Sequence, residues 1–255
     1  MTDTQGIWLY AVTRQVDPAV LGRLPGVAGE TPRVVDEAGL VAVVGDVPLS
    51  AFGEEALHRN FEDVDWLGGV ARAHDAVIVA LLAGGPVVPI QLATVYRDDD
   101  GVRRVLRCRA PDFDHALERV TGRTEWGVKV FLEAAAEPGT SHGGPSRGGA
   151  GTAYLAQRRA ALASREHREQ RAIEQAHRVH SALAALAVDA RMHRPHSQTL
   201  AGGRARMILN AAYLVDDDTR DFLDAVAACE QDNDTIRVQL TGPWPPYSFS
   251  SLEQT

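Results

Sequence analysis

The stretch Thr124–Glu133, TEWGVKVFLE, sets the fold of the second half of the chain. Its residues alternate between an apolar set (Trp126, Val128, Val130 and Leu132) and a second set that contains Glu125 and Lys129. Alternation with a period of two is typical of a β-strand with one buried face. The sequence therefore predicts a strand that packs one side against a core.

The residues that follow predict helix and strand in turn. Residues 152–188 contain neither Gly nor Pro and form a long predicted helix. Beyond it we expect a short strand at 189–194, a strand at 205–215, a helix that Asp216–Asp218 caps, and a strand at 235–240. The order βαββαβ predicts a ferredoxin-like α+β domain.

The long predicted helix is unusually polar in its middle. Residues 157–171 are rich in Arg, Glu and Ala, and few large apolar residues mark a stripe (Leu155, Leu162, Ile173, Leu183, Leu186). A helix without a continuous apolar face has little reason to pack along its whole length. We expect it to project from its domain, as one helix or as a helical hairpin, or to meet a partner there.

The first half of the chain predicts a related mixture of sheet and helix, a modified ferredoxin-like domain. Strands are expected at Ile7–Thr13 and 87–96, a hairpin at 33–45 with its turn at Glu37-Ala38-Gly39, and a helix over 54–83 with a break near Gly68-Gly69. We place the domain boundary between residues 121 and 122. The second domain, 122–255, then includes a flexible glycine-rich loop at 138–151 and a tail at 242–255.

Composition narrows the class of protein. The 255 residues have a net charge of −8 and 45% hydrophobic residues, so the chain lacks the basic surplus that nucleic-acid binding requires. The N-terminus does not resemble a signal peptide, and no apolar run is long enough for a transmembrane helix. Cys108 and Cys229 do not form a disulfide framework. We expect a cytoplasmic protein that binds neither nucleic acid nor membrane.

The search for catalytic chemistry finds little. Gly144–Gly148 matches G-x-S-x-G around Ser146, but it lies in a glycine-rich stretch without the preceding strand that a nucleophile elbow needs. Cys108 lies between two arginines that can lower a thiol pKa, yet no histidine can be paired with it. Four histidines have spacings seen in zinc sites but lack the CxxC or HExxH that would complete one (His177, His180, His193, His196). We therefore expect no catalytic residue, no cofactor, no metal and no small-molecule substrate.

The tail contains the densest group of aromatic and proline residues in the chain. Gly242–Phe249, GPWPPYSF, has three prolines and three aromatics in eight residues, which makes a stiff, extended segment with a large apolar surface. Two interpretations remain open. The tail either clamps the last strand onto its own core or presents an aromatic patch to a partner.

Several segments together resemble the GvpF/GvpL gas-vesicle proteins. The tail is similar to that family's "G-P-W-P-P-Y-S/N-F" ending, and Ala73–Val77 is similar to its "A-x-x-H-D/E-x-V" helix. Further similarities lie in the strands at 7–13, 40–47, 87–96 and 124–133, so the resemblance spans residues 6–249. One position differs, because Gln91 stands where the family pattern has arginine.

The resemblance implies an accessory protein of gas-vesicle assembly. Such a protein would have two α+β domains and no enzymatic activity, and it would bind the small hydrophobic shell protein and other gas-vesicle accessory proteins in the cytoplasm. The shell protein must expose apolar surface before it polymerises, so a partner needs apolar or complementary charged surface. The candidate partner-binding residues are aromatic residues of the tail and arginines of the long helix (Trp244, Tyr247, Phe249, Arg158, Arg165, Arg168).

Two alternatives come from other classes. Ferredoxin-like domains often serve as ligand sensors, so a small-molecule-binding regulatory protein is the second hypothesis. A hydrolase that uses Ser146 or Cys108 is the third. The sequence does not distinguish an F-like from an L-like member of the family.

Overall fold

A computed structural model describes residues 4–133, 150–194, 205–231 and 235–250. The chain forms two compact units, of which one comprises Met1–Glu125 with Pro243–Thr255 and the other Trp126–Gly242. The structure contains helices as well as two sheets, which confirms the α+β class. The expected division had kept the tail 242–255 with the second domain, whereas in the structure the tail from Pro243 onwards groups with the first unit.

The described residues of the first unit form five complete strands and six helices. The strands are β1 (Gln5–Thr13), β2 (Arg33–Glu37), β3 (Leu40–Pro48), β4 (Val87–Pro89) and β5 (Val95–Tyr96). The helices are α1 (Pro18–Leu21), α2 (Leu49–Phe52), α3 (Glu54–Asn60), α4 (Val64–Leu82), α5 (Asp99–Cys108) and α6 (Ala110–Val120). The sheet order is β2-β3-β1-β4, and β5 also pairs with β1.

Helices cover both faces of this sheet, which explains why β1 and β3 are apolar almost throughout. On one face Trp8 and Tyr10 lie in a core with residues of α4, and on the other Ile7 and Leu9 lie in a core with residues of α5 and α6. The pairing of β1 with β3 shifts register between Leu9 and Ala11. This bulge places Tyr10 and Ala11 in the same core although they are consecutive in sequence.

Two predicted elements of the first unit were wrong in detail. The predicted helix over 54–83 breaks between Asn60 and Val64, because Asp63 caps a new helix by accepting hydrogen bonds from the backbone N–H groups of Asp65 and Trp66 at 3.0 and 3.1 Å. Gly68 and Gly69 lie inside α4, where glycine costs stability without ending the helix. The predicted strand over 87–96 is two short strands, β4 and β5.

The second unit contains most of β6 (Arg123–Leu132) and most of β9 (Ile236–Trp244). The first residues of β6 and the last residues of β9 belong to the first unit. Its other elements are α7 (Ala150–Ala184), β7 (Asp189–Met192), β8 (Arg206–Asp216) and α8 (Arg220–Gln231). The sheet order is β7-β8-β6-β9. Alternate residues of β8 (Leu209, Ala211, Tyr213, Val215) pack in one core with residues of α7 and α8.

Only the C-terminal half of α7 belongs to that core. The buried stripe is Ala172, Ala176, Val179 and Leu183, so the predicted stripe that began at Leu155 was wrong. Leu155 and Leu162 are 56% and 53% exposed, and every described side chain from residue 155 to 167 is exposed. The predicted projecting helix is therefore one helix whose side chains are solvated from residue 155 to 167. None of the helices in the described ranges has the length and apolarity that a membrane crossing requires.

A half-buried acid, Glu30, organises the loop before β2. Oε1 of Glu30 accepts a hydrogen bond from the hydroxyl of Tyr10, and its Oε2 accepts one from the backbone N–H of Ala28 at 2.8 Å. The Tyr10 hydroxyl also accepts from the N–H of Val27 at 2.8 Å. A Cβ atom on Gly45 would lie 2.0 Å from Oε1 of Glu30, so the close approach of this carboxyl group requires glycine on β3.

This contact predicts the effect of adding one methyl group. Gly45→Ala should lower the free energy of unfolding by about 1–3 kcal/mol, because Glu30 must move away from Tyr10 and Ala28. Gly22→Ala is the matched control, since nothing lies within 4 Å of a Cβ atom there and its φ of −69° suits alanine. Urea unfolding of both variants measures the difference. Equal stabilities would show that Glu30 is not held as described.

Candidate functional site

The tail docks on the first unit as a compact turn. Pro245 and Pro246 are buried, and the carbonyl of Pro246 accepts hydrogen bonds from the N–H groups of Phe249 and Ser250 at 3.1 and 3.0 Å. The N–H of Tyr247 bonds the carbonyl of Pro245 at 2.7 Å. The two prolines restrict the chain before the turn, so the aromatic side chains after it have fixed directions.

Glu125 is the principal anchor of the tail. One carboxyl oxygen of Glu125 accepts from the backbone N–H of Ser248 at 2.8 Å, and the other accepts from the Ser248 hydroxyl at 2.6 Å. Glu125 is only 6% exposed although alternation along the strand had placed it on the polar side. The tail explains the difference, because it covers this carboxyl group and supplies donors to it.

Two further contacts fix the tail to helices of the first unit. The hydroxyl of Tyr247 donates to Oδ1 of Asp75 on α4 at 3.1 Å, and burial, with the nearby Asp75 carboxylate, raises the pKa of Tyr247. Phe249 is 2% exposed, and the guanidinium carbon of Arg119 on α6 lies 6.0 Å from its ring centroid. The tail is thereby tied to α4, to α6 and to the start of β6.

The residue next to Asp75 holds the other side of the same helix to the sheet. His74 is 2% exposed, and its ring stacks on Tyr10 at a centroid distance of 5.4 Å. Its Nδ1 accepts from the indole N–H of Trp8 at 3.0 Å, and its Nε2 lies 3.0 Å from the carbonyl oxygen of Ile90. Because an indole can only donate, Nδ1 carries no proton and Nε2–H donates to Ile90. Burial lowers the pKa of His74, which favours this neutral form.

The residues that carry the family resemblance therefore meet inside the first unit. Trp8 on β1, His74 and Asp75 on α4, Ile90 after β4, and Glu125 on β6 are separated in sequence but linked through these contacts and those of the tail. We call this set, with Tyr247–Phe249, the tail bracket. It holds the strands, α4 and the tail in one arrangement.

The three aromatic partner candidates of the tail differ in exposure. Trp244 is 47% exposed and Tyr247 is 37% exposed, so both rings offer surface. Phe249 is buried and belongs to the bracket instead. The burial of Phe249 fits the interpretation that the tail packs on the chain's own core, which is here the core of the first unit. Binding of a partner through Trp244 and Tyr247 stays a prediction.

The arginine candidates lie on α7. Arg158 and Arg165 are exposed, whereas Arg168 is partly buried and its Nε atom has no hydrogen-bond partner among the described residues. Leu155 and Leu162 precede Arg158 and Arg165 by three residues each, a spacing that puts all four on one face of a helix. This mixed apolar and basic face is exposed along its length. We call it the α7 stripe.

Among the described residues, the candidates for catalysis and metal binding do not come together. Ser146 and His196 lie outside the described residues. Nδ1 of His180 lies 2.8 Å from the hydroxyl of Tyr213, which gives this histidine a packing role. Cys108 is exposed, while its neighbours Arg107 and Arg109 pair with Glu37 and Asp112. Within the described ranges no group of three or more His, Cys, Asp or Glu side chains could hold a metal ion.

Sequence reasoning missed the roles of Glu30 and Glu125. The sequence does carry a signal for Glu125. This acid lies in a strand with a strongly apolar face, and the same chain has a proline-rich tail with hydroxyl and amide donors. Nothing comparable marks Glu30, because its partners Tyr10 and Gly45 are identified only by the strand pairing.

The Glu125 anchor predicts local release of the tail. Glu125→Ala leaves the N–H and hydroxyl of Ser248 without their acceptor, which should cost about 1–3 kcal/mol. Hydrogen exchange followed by mass spectrometry should show faster exchange in a peptide covering residues 245–250. Glu55→Ala, at an exposed position on α3, should leave that peptide unchanged. Unchanged exchange in Glu125→Ala would contradict the anchoring role.

The His74 network predicts a pH dependence of stability. The folded-state pKa lies below the ordinary value of about 6.5, so the unfolded chain binds the proton more readily and stability is lost as pH falls below about 6.5. His74→Gln should lower the melting temperature near neutral pH but reduce its decline between about pH 7.5 and pH 5.5. His115→Gln, exposed on α6, should keep the wild-type decline. An equally steep decline in His74→Gln would rule out this proton as the cause.

Comparison with known proteins identifies relatives across nearly the whole chain. The family model described as gas vesicle synthesis protein GvpL/GvpF matches residues 6–251. Gas vesicle protein L of Streptomyces sp. (strain CB03234) is 42% identical over 97% of this chain and 93% of its own length. Gas vesicle protein F of the same strain is 28% identical over 95% of this chain and 98% of its own length.

Solved structures agree in fold. The crystal structure of GvpF from Anabaena sp. PCC7120 superposes with a TM-score of 0.64 at 18% identity and covers 98% of each chain. The crystal structure of GvpF from Microcystis aeruginosa superposes with a TM-score of 0.63 at 18% identity and covers 97% of this chain and 99% of that one. With a family model that matches residues 6–251 and a relative at 42% identity, this chain belongs to the gas vesicle GvpL/GvpF family.

Proposed function

We propose that this chain is a gas-vesicle assembly factor that binds the small hydrophobic shell protein and other gas-vesicle accessory proteins. It would act in the cytoplasm at the gas vesicle and catalyse no reaction. Membership of the family supports the accessory role. The higher identity to the L relative than to the F relative supports an L-type member.

The α7 stripe carries the proposal for the partner-binding surface. Leu155 and Leu162 are more than half exposed, and Arg158 and Arg165 lie beside them on a segment, residues 155–167, in which every side chain is exposed. Exposed leucines spaced by two helical turns favour a partner with apolar surface. The arginines favour acidic groups at the rim of that surface.

The tail provides a second proposed contact through Trp244 and Tyr247. The Trp244 ring is nearly half exposed at the end of β9, and the bracket holds the residues after it in place. A rigid aromatic anchor loses little conformational entropy when it binds. Arg168, which is partly buried on α7, belongs to the proposed α7 surface, and Phe249 supports the tail from within.

A ferredoxin-like arrangement of the second unit is part of this proposal. It is supported by the order of elements, β6-α7-β7-β8-α8-β9, together with the sheet order β7-β8-β6-β9. In this arrangement both helices lie on one face of the sheet, as the shared core of α7, α8 and β8 suggests. Such a domain can extend α7 beyond the sheet without exposing its core.

Co-expression with the shell protein tests the function. The wild-type chain should co-purify with shell protein as a soluble complex of defined size on gel filtration. Leu162→Asp and Arg165→Glu should each weaken this complex by about tenfold or more, because they place an acid within the proposed contact. Arg171→Glu is the matched control, since this exposed arginine lies on the opposite face of α7.

Two results would change this assignment of the binding surface to the α7 stripe. Loss of the complex in Trp244→Ala with no effect of the α7 variants would move the contact to the tail. Aggregated shell protein beside a chain that elutes alone would contradict direct binding of the shell protein.

A further inference from the structure

The outer edge of β7 is open in the second sheet. β7 is the terminal strand in the order β7-β8-β6-β9, so among the described residues only β8 pairs with it. The N–H of His193 donates to the carbonyl of Asn210 on β8 at 2.8 Å. Because antiparallel strands bond their partner through alternate residues, the backbone groups of Ala190 and Met192 point away from β8. An open edge of this kind can pair with a further strand.

A side chain of the same strand occupies part of this edge. The N–H of Ala190 donates to Oδ1 of Asp189 at 2.8 Å, which satisfies this outward donor while the chain is alone. The bond joins neighbouring residues, so the carbonyl oxygen of an incoming strand can replace the carboxylate without disturbing β7. Asp189 then needs a new partner, and the edge favours a strand that brings a cation to it.

The sequence of β7 itself supplies that cation. Two copies of residues 188–192 that pair antiparallel about a twofold axis must bring their outward residues opposite one another. Three registers do so and pair at least three residues, and they are centred on Asp189, Ala190 or Arg191. The first places Asp189 opposite its own copy and the third does the same with Arg191, so both bring like charges together. The register centred on Ala190 pairs all five residues and places each Asp189 opposite an Arg191.

We propose that a second copy of this chain pairs with the outer edge of β7 in the register centred on Ala190. The two Ala190 residues exchange their N–H···O=C hydrogen bonds, and each Asp189 pairs with Arg191 of the second copy. Met192 then lies opposite Val188 of the second copy, and these side chains are 62% and 47% exposed in the single chain. The two sheets of four strands join into one continuous sheet.

This association is weak and reversible, because a pairing of five residues covers much less than the roughly 1,000 Å² of a stable interface. Self-association goes beyond the proposed role in assembly and uses a different surface from the α7 stripe. The isolated chain suffices for its test, so a negative result here leaves the shell-protein proposal unaffected.

The wild-type chain gives the first test through its mass in solution. Sedimentation equilibrium should show the average mass rising from monomer towards dimer, and not beyond it, between about 10 µM and about 500 µM. The limit at the dimer follows from the twofold axis, which uses both edges at once. A monomer at every concentration, or growth to larger assemblies, would overturn the proposal without any variant.

Charge reversal then tests the register. Asp189→Arg and Arg191→Asp should each weaken the dimer by roughly tenfold or more, because only like charges face one another in either variant. An equimolar mixture of the two variants should recover about the wild-type affinity, since every facing pair is again opposite in charge. Arg104→Asp, at an exposed position on α5, is the matched control and should dimerise as the wild type does.

The mixture separates pairing between copies from a role of these residues within one chain. Damage within a chain would weaken both variants and would not be repaired by mixing them. Circular dichroism establishes that each variant is folded. Failure of the folded variants to associate when mixed, or wild-type affinity in both of them alone, would overturn the assigned register.

Discussion

The carboxyl group of Glu125 is almost completely removed from water, and this burial requires hydrogen-bond donors. The Ser248 N–H and hydroxyl fill that need at 2.8 and 2.6 Å, which explains why the end of the chain returns to the first unit. The return fixes Tyr247 on Asp75 and buries Phe249 beside Arg119. His74, adjacent to Asp75, connects the same helix to Trp8 and Ile90.

This arrangement gives a physical meaning to the motifs that mark the family. A motif of exposed aromatics would suggest partner recognition, but most of the motif residues here bind one another. Their pattern therefore reflects contacts that stabilise the first unit, while Trp244 and part of Tyr247 remain exposed. The main surface that we propose for partner binding lies outside the bracket, on the α7 stripe, which combines exposed leucines and arginines on one helical face.

The elements with strong periodicity could be predicted from the sequence, and those that depend on distant contacts could not. The strands β1, β3, β6 and β8 and the helix α7 lie close to their expected positions, since alternation or a long run without Gly and Pro marks each. The helix break at Asp63, the division of the strand over 87–96 and the buried stripe of α7 were not predicted. Small residues such as Ala172 and Ala176 form that stripe, so a search for large apolar side chains overlooks it. The tail contacts depend on residues more than a hundred positions apart, as in Glu125 and Ser248.

The most direct test of this account is hydrogen exchange measured for the chain alone and for the chain bound to shell protein. The account predicts new protection in peptides covering residues 155–167 of α7, whose side chains are exposed in the free chain. Residues 245–250 should be protected in both states, because the bracket holds them before any partner binds. Protection that arises only in the tail, with α7 exchanging equally in both states, would contradict the division between an internal bracket and a partner-binding helix.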